Sequence, residues 1–269
     1  MLATYLGTAI SRAISSMLRH WVACIALGAA IVVDAAAASA MGVTPVTLEL
    51  EASGRRSSGQ IVVSNTENRK LPVELNVSLL TLRPDGKVQR STAADQFVIY
   101  PPQAAIGPSS NQTFRIQFIG DPGLLESEAF EISVDQIPVD LSNENTGGPT
   151  VQIVYSIGAV VVVAPVSGVA SVSVEKTELF TDAKGILHPR AYFHNEGARH
   201  AFLDEGRLII AAVDKDGKII WDRTLGSEEI RQQIGIGYLP PHFTRAMDLP
   251  IDLPPESASL KIIFKQKSG

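Results

Sequence analysis

An alternation of apolar and polar residues with a period of two runs through most of the chain after Gly42. The run from Val46 to Leu50 is a first example, and the run from Val73 to Leu79 is a longer one. Successive side chains of a β-strand point to opposite faces, so this period predicts strands that bury one face. No stretch after residue 40 keeps a helical period. The chain is therefore predicted to be all-β.

The predicted strands fall into two series on either side of Pro165. The first series comprises Val46–Leu50, Ile61–Val63, Val73–Leu79, Phe97–Tyr100, Thr113–Ile119, Phe130–Gln136 and Val151–Val163. Such a number of short strands, separated by turns, is typical of an immunoglobulin-like β-sandwich. The second series, from Ala170 to Phe264, predicts another sandwich. The interpretation is two sandwich domains, 41–165 and 166–269, joined at an angle by a short elbow in a boomerang arrangement.

The first 40 residues have the order of an export signal. Arg12 and Arg19 precede an apolar run from Trp21 to Val33, and small residues follow as far as Ala40. A basic region, a hydrophobic region and a small-residue cleavage site define a secretory signal peptide. Residues 1–40 are therefore predicted to be removed on export, with Met17 as an alternative start.

Composition excludes several kinds of chemistry. Cys24 is the only cysteine and lies in the predicted signal, so the mature chain would have no disulfide, thiol nucleophile or cysteine-bound metal. The formal net charge is −5, and no basic stretch is present that could neutralise a phosphate backbone. We therefore expect no nucleic-acid partner and no cofactor.

The last strand of the first domain is the most informative segment. Four of its apolar residues alternate on one face, namely Val151, Ile153, Tyr155 and Ile157. One interpretation is an ordinary sandwich strand with a buried face. The other is an edge strand that binds a partner, since no Lys or Pro interrupts the segment before Pro165, and natural edges are usually protected by such residues.

Four blocks in the first domain resemble the periplasmic pilus chaperones of the chaperone-usher pathway, the PapD-like family. The blocks are Ile61–Asn65, Pro101–Pro108 followed by Gln112–Ile116, Phe130–Pro138 and the run that ends at Pro165. They occur in the family order. The second domain resembles the family only in size, in its β character and in a turn at Asn195–Gly197.

The resemblance implies a periplasmic protein without catalysis that caps pilin-like subunits by donor-strand complementation and delivers them to an outer-membrane usher. The donor residues would be Val151, Ile153, Tyr155 and Ile157. A free donor edge also implies possible self-association of the unloaded chaperone.

The sequence departs from the family at the anchor for the subunit's terminal carboxylate. Typical members have an Arg and a Lys there, whereas Glu49 and Val160 fall near these positions. This departure is similar to the archaic or alternative chaperones. Arg115 is the replacement candidate, because a guanidinium can bind a carboxylate bidentately, and Arg190 is a second.

Two other functions stay open. His188, His194 and His200 lie near Asp204 and Glu205, a composition that could indicate a metal site or acid-base catalysis. Because Pro189 and a turn interrupt the segment, we interpret these histidines as surface residues and the chain as no enzyme. The second alternative is a secreted β-sandwich that serves in adhesion or envelope structure, without chaperone activity.

Overall fold

A computed structural model describes residues 41–83, 86–138 and 154–266, and the predicted signal peptide lies outside these ranges. Within them, we find no helix whose length and apolar character would let it cross a bilayer. The first ten strands are β1 (Met41–Thr44), β2 (Thr47–Glu51), β3 (Ser58–Asn65), β4 (Leu71–Leu82), β5 (Val88–Thr92), β6 (Phe97–Tyr100), β7 (Gln103–Ile106), β8 (Ser110–Phe118), β9 (Glu128–Gln136) and β10 (Ser156–Ala164).

These ten strands form two sheets with a core between them. One sheet has the order β1-β3-β8-β6 and the other β2-β10-β9-β4-β5, with β7 also paired to β4. Strand β8 shows why the alternation specifies this arrangement, since Phe114 and Ile116 are buried while Arg115 is exposed. Each such side chain contributes about 1.5–3 kcal/mol on burial.

The chain passes from one sheet to the other at Pro45. Strand β1 precedes this residue and pairs with β3, whereas β2 follows it and pairs in parallel with β10. Proline has no N–H group to donate to a neighbouring strand, so the pairing of β1 ends before Pro45 and that of β2 begins after it. This change of sheet brings β2 alongside the segment of greatest functional interest.

The remaining strands form three smaller sheets, β11-β12-β17, β13-β16 and β15-β14-β18. Their bounds are β11 (Val172–Thr181), β12 (Leu187–Asn195), β13 (Ala201–Phe202), β14 (Gly206–Val213), β15 (Ile219–Leu225), β16 (Tyr238–Leu239), β17 (Phe243–Asp248) and β18 (Ser259–Gln266). A second core forms here around Phe193, Leu208 and Ile210. The prediction of an all-β protein built from sandwiches is confirmed.

One short α-helix, α1 (Ser227–Ile234), interrupts the second half. The sequence analysis missed it because only Ile230 within it is buried, so no apolar period is visible. Its first turn is held by the Glu229 carboxylate, which accepts a hydrogen bond from the Gly226 N–H at 3.1 Å.

The two halves of the chain touch through apolar side chains near Pro165. Phe202 packs with Ala129 and Val162, which lie on the outer face of the sheet that contains β9 and β10. Val162 is fully buried by this contact. The predicted division at Pro165 and the boomerang arrangement stay predictions.

Candidate functional site

The alternating face of β10 continues the inner face of the first sandwich. Ala159 is fully buried in the core, and Tyr155 and Ile157, on the same face, are half-buried and pack against that core. Val151 and Ile153 lie outside the described residues. The two described candidates therefore present apolar surface at the end of the core that solvent reaches.

The edge of β10 is covered along its second half. Residues Val160–Ala164 pair in parallel with Thr47–Glu51 of β2, and the N–H of Val160 donates to the carbonyl of Val46 at 2.9 Å. The expectation of a bare edge as far as Pro165 is therefore wrong for this half. Its physical reason is the change of sheet at Pro45, which supplies β2 as a partner.

The first half of β10 lacks such a partner among the described residues. The backbone N–H and C=O groups of every second residue point to the same side of a strand. Since the N–H of Val160 points toward β2, the backbone groups of Ser156 and Gly158 point to that side as well, where β2 does not reach. On the opposite side β10 pairs with β9 from Ser156 onward. The Ser156–Ala159 edge is thus open to one additional strand.

A polar network holds the beginning of β10 on its outer face. The Asp135 carboxylate accepts hydrogen bonds from the hydroxyls of Ser156 and Ser133 and from the amide of Asn76. Burial raises the pKa of Asp135, but the hydrogen bonds from Ser156, Asn76 and Ser133 together lower it below its ordinary value. The ionised carboxylate therefore fixes the strand next to the open edge.

Arg115 lies in the sheet that does not contain β10. Its side chain is on the outer face of β8, where it lines a groove of about 590 Å³ together with Val98 and Tyr100. Within the described ranges, no carboxylate lies within ion-pair distance of its guanidinium. Arg115 is therefore free to bind an anion, on the side of the sandwich away from the β10 edge.

Arg190 is already paired. Its guanidinium forms a bidentate ion pair with Asp248 on the neighbouring strand β17, and it also lies 5.0 Å from the ring centre of Phe180. The hydrogen bond and the charge of Asp248 raise the pKa of Arg190 further. A bound carboxylate would have to compete with Asp248.

A different arginine, which the sequence analysis did not single out, lies beside β2. Arg199 donates a hydrogen bond to the Glu49 carboxylate at 2.7 Å, and Glu51 lies 3.8 Å away. Glu49 is opposite Val162 in the β2–β10 register. The position where the family would have a cation therefore holds an anion, and the second half of the chain supplies the cation.

His200 is buried where the two halves meet, which corrects the interpretation of it as a surface residue. Its backbone N–H donates to the hydroxyl of Ser127 at 3.0 Å, and its Nδ1 lies 2.9 Å from the same oxygen. Burial is the main cause that lowers the pKa of His200, to about 4. The ring is therefore neutral near pH 7.

The three histidines do not form one site. His188 bonds to the carbonyl of Ile251 and His194 to the hydroxyl of Thr244, whereas His200 bonds to Ser127. In the part of the chain that the structure describes, no three His, Cys, Asp or Glu side chains come together to hold a metal ion.

A β-sandwich with an open stretch of strand edge and an adjoining apolar face belongs to the class of proteins that can bind others by strand addition. Residues 40–168 match the family described as pili and flagellar-assembly chaperone, PapD N-terminal domain. This match confirms the resemblance found in the sequence of the first domain.

Solved structures of fimbrial chaperones are similar to the chain at low identity. The class 5 fimbriae chaperone CfaA is 11% identical, with 85% of this chain and 100% of that chain covered and a TM-score of 0.49. A chain from the complex of the Salmonella enterica SafA pilin with the SafB chaperone is 15% identical, with coverages of 78% and 84% and a TM-score of 0.45. The E. coli chaperone DraB is 16% identical, with coverages of 84% and 96% and a TM-score of 0.45. No curated protein sequence matches the chain.

Proposed function

We propose that the chain is a periplasmic chaperone that caps pilin-like subunits by adding a strand to them. The observation that carries this proposal is the open Ser156–Ala159 edge beside the half-buried side chains of Tyr155 and Ile157. The family of residues 40–168 supports it. The first 40 residues would direct export and then be removed.

The proposed mechanism follows from the geometry of strand addition. A subunit that lacks its last strand would pair its open edge with the backbone of Ser156 and Gly158, while Tyr155 and Ile157 fill its exposed core. Val151 and Ile153, by the same alternation, would extend the donated face. Each buried side chain would contribute about 1.5–3 kcal/mol before the cost of association.

The anchor for a subunit carboxylate stays a prediction at Arg115 and Arg190. Arg115 is the more available of the two, because Asp248 already neutralises Arg190. Glu49 places a negative charge near the position of the family's cation, which supports a different way of binding the subunit's carboxylate.

We also propose two properties of the chaperone cycle. After capture the subunit is delivered to an outer-membrane usher, and no reaction is catalysed at any stage. Before capture, two copies of the chaperone can pair their open edges and so protect them from other chains.

Periplasmic co-expression with a pilin-like subunit from the same genome tests the function. The chaperone is expected to co-purify with the subunit in equal amounts, and the subunit alone is expected to be degraded or to aggregate. A soluble subunit that never associates with the chain would instead favour a secreted β-sandwich of adhesion or envelope structure.

A further inference from the structure

The outer face of β14 and β18 carries a regular arrangement of charged and apolar side chains. Three cross-strand pairs follow one another along the two strands: Arg207 opposite Lys265, then Ile209 opposite Ile263, then Ala211 opposite Lys261. Direct cross-strand neighbours lie about 5 Å apart at their Cβ atoms. The face is therefore an apolar row between two rows that contain cations.

The cations of this face have no acidic partner in the described part of the chain. Arg207, Lys261 and Lys265 are exposed, and none of them lies within ion-pair distance of a described carboxylate. Arg207 and Lys265 are also like charges directly opposite each other, which costs stability. On the same face, β15 places the exposed Asp222 opposite Ala211, so the row of Lys261 contains one acid and one base, and the excess positive charge lies at Arg207 and Lys265.

The apolar row is accessible to a partner. Ile263 is 53% exposed, and Ile209 beside it is half-buried. At one end, Arg207 and Lys265 border a concavity of about 400 Å³ that is also lined by Ser227 at the start of α1. Glu205 is the one carboxylate in that lining, so positive charge exceeds negative charge there.

We propose that this face binds an extended acidic segment of a partner protein. Residues two apart in a strand are about 6.7 Å apart, so the two cationic rows are separated by about 13 Å. An extended segment with the pattern acid-x-apolar-x-acid has the same spacing between its carboxylates. Its apolar side chain would cover Ile209 and Ile263 while its carboxylates neutralise Lys261 at one end and Lys265 at the other.

A protein segment fits this face better than a lipid surface does. The isoleucines stand between rows that contain longer Lys and Arg side chains, so they do not protrude beyond these toward acyl chains. A bound strand that runs along β18 crosses the three rows in turn, and its carboxylate at the first row would relieve the repulsion between Arg207 and Lys265.

Fluorescence anisotropy with labelled peptides tests the inference on the full chain. One peptide carries Glu-Thr-Val-Thr-Glu between glycines, and its control carries Lys in place of both Glu. The acidic peptide is expected to bind, and to bind more weakly as NaCl rises from 50 to 300 mM. The Lys peptide is expected not to bind.

Two charge reversals identify the face. Lys265→Glu and Lys261→Glu are each expected to weaken binding of the acidic peptide about tenfold, whereas Lys215→Glu, in the exposed β14–β15 turn, leaves it unchanged. Lys265→Glu should keep the fold, because it replaces a repulsive pair with an attractive one. Equal binding by all three variants, or binding only to vesicles that contain phosphatidylglycerol, would overturn the proposal.

Discussion

Arg199 donates a hydrogen bond to Glu49 across 2.7 Å and thereby joins the loop after β12 to strand β2. The side chains are 21% and 32% exposed, so water screens the pair only in part. Strand β2 covers half of β10 and so determines where the open edge ends. The ion pair therefore connects the second half of the chain to the strand that bounds this edge.

A double-mutant cycle with Arg199→Ala and Glu49→Ala should give a coupling energy of about 1 kcal/mol in urea unfolding. The pair Arg223 and Glu229 is a matched control, because its side chains are 45% and 44% exposed. We expect a coupling of only about 0.3–0.5 kcal/mol there. A coupling near zero between Arg199 and Glu49 would remove this link between the halves.

His200 should make stability depend on pH. Its pKa is lowered from 6.5 to about 4 by burial, so the unfolded chain binds the proton more readily. Stability from the buried neutral ring is therefore complete above pH 6.5 and is lost as the pH falls toward 4, by about 3 kcal/mol at pH 4.

Thermal unfolding of the wild type and of His200→Phe between pH 8 and pH 4 measures this effect. The variant should lose less stability over that window than the wild type does. His242→Gln is the control, since His242 is 53% exposed. A wild type and a His200→Phe variant with parallel pH profiles would show that His200 contributes nothing.

Charged substitutions on the donated face should abolish capture of a subunit. Tyr155→Asp and Ile153→Asp place a carboxylate where the proposed partner offers an apolar groove, so co-purified subunit should fall at least about tenfold. Val154→Asp is a matched control, because Val154 is 48% exposed and precedes Tyr155 on the opposite face. Circular dichroism confirms that each variant is folded, and full capture by folded Tyr155→Asp would refute strand donation.

The two anchor candidates, Arg115 and Arg190, differ in whether an existing ion pair must be broken before they can bind a carboxylate. Arg115→Ala should reduce capture about tenfold, as expected for the loss of a charge-assisted bidentate contact. Arg190→Ala should reduce it less, because Asp248 holds that guanidinium already. Unchanged capture by both variants would exclude both candidates and direct attention to Arg199.

Two buried asparagines should be essential for stability. The amide of Asn195 donates to the carbonyls of Arg199 and Pro240, and the amide of Asn65 donates to those of Arg69 and Gly107. Alanine at either position would leave buried backbone groups without partners, at a cost of about 2–3 kcal/mol.

Urea unfolding of Asn65→Ala and Asn195→Ala measures that cost. The exposed Asn111 provides the control, and Asn111→Ala should change the free energy of unfolding by less than about 0.5 kcal/mol. Destabilisation no greater than that of the control would mean that water replaces the lost contacts.

These asparagines also show what the sequence could have revealed. Each ends a strand and is followed four residues later by an arginine whose carbonyl it binds, in Asn65–Arg69 and in Asn195–Arg199. The same device therefore occurs in both halves, although no longer repeat is visible. The strands themselves were predictable because alternation is a local property of the chain.

Contacts between distant segments were not predictable. The pairing of β2 with β10 joins residues more than 100 positions apart, and the cross-strand pair of Arg207 and Lys265 appears only once the register is known. The burial of His200 likewise depends on Ser127, which comes from the other half. Such features depend on tertiary packing, for which a single sequence carries no periodic signal.

Strand β2 begins opposite Val160, so the two ends of the open edge of β10 are not equivalent. Any strand that pairs with Ser156–Ala159 stops where β2 begins, so β2 sets a fixed limit at one end of the bound strand. The other end of the edge has no such limit among the described residues, so under the proposed strand addition we expect a competing strand to begin pairing there and to extend toward β2.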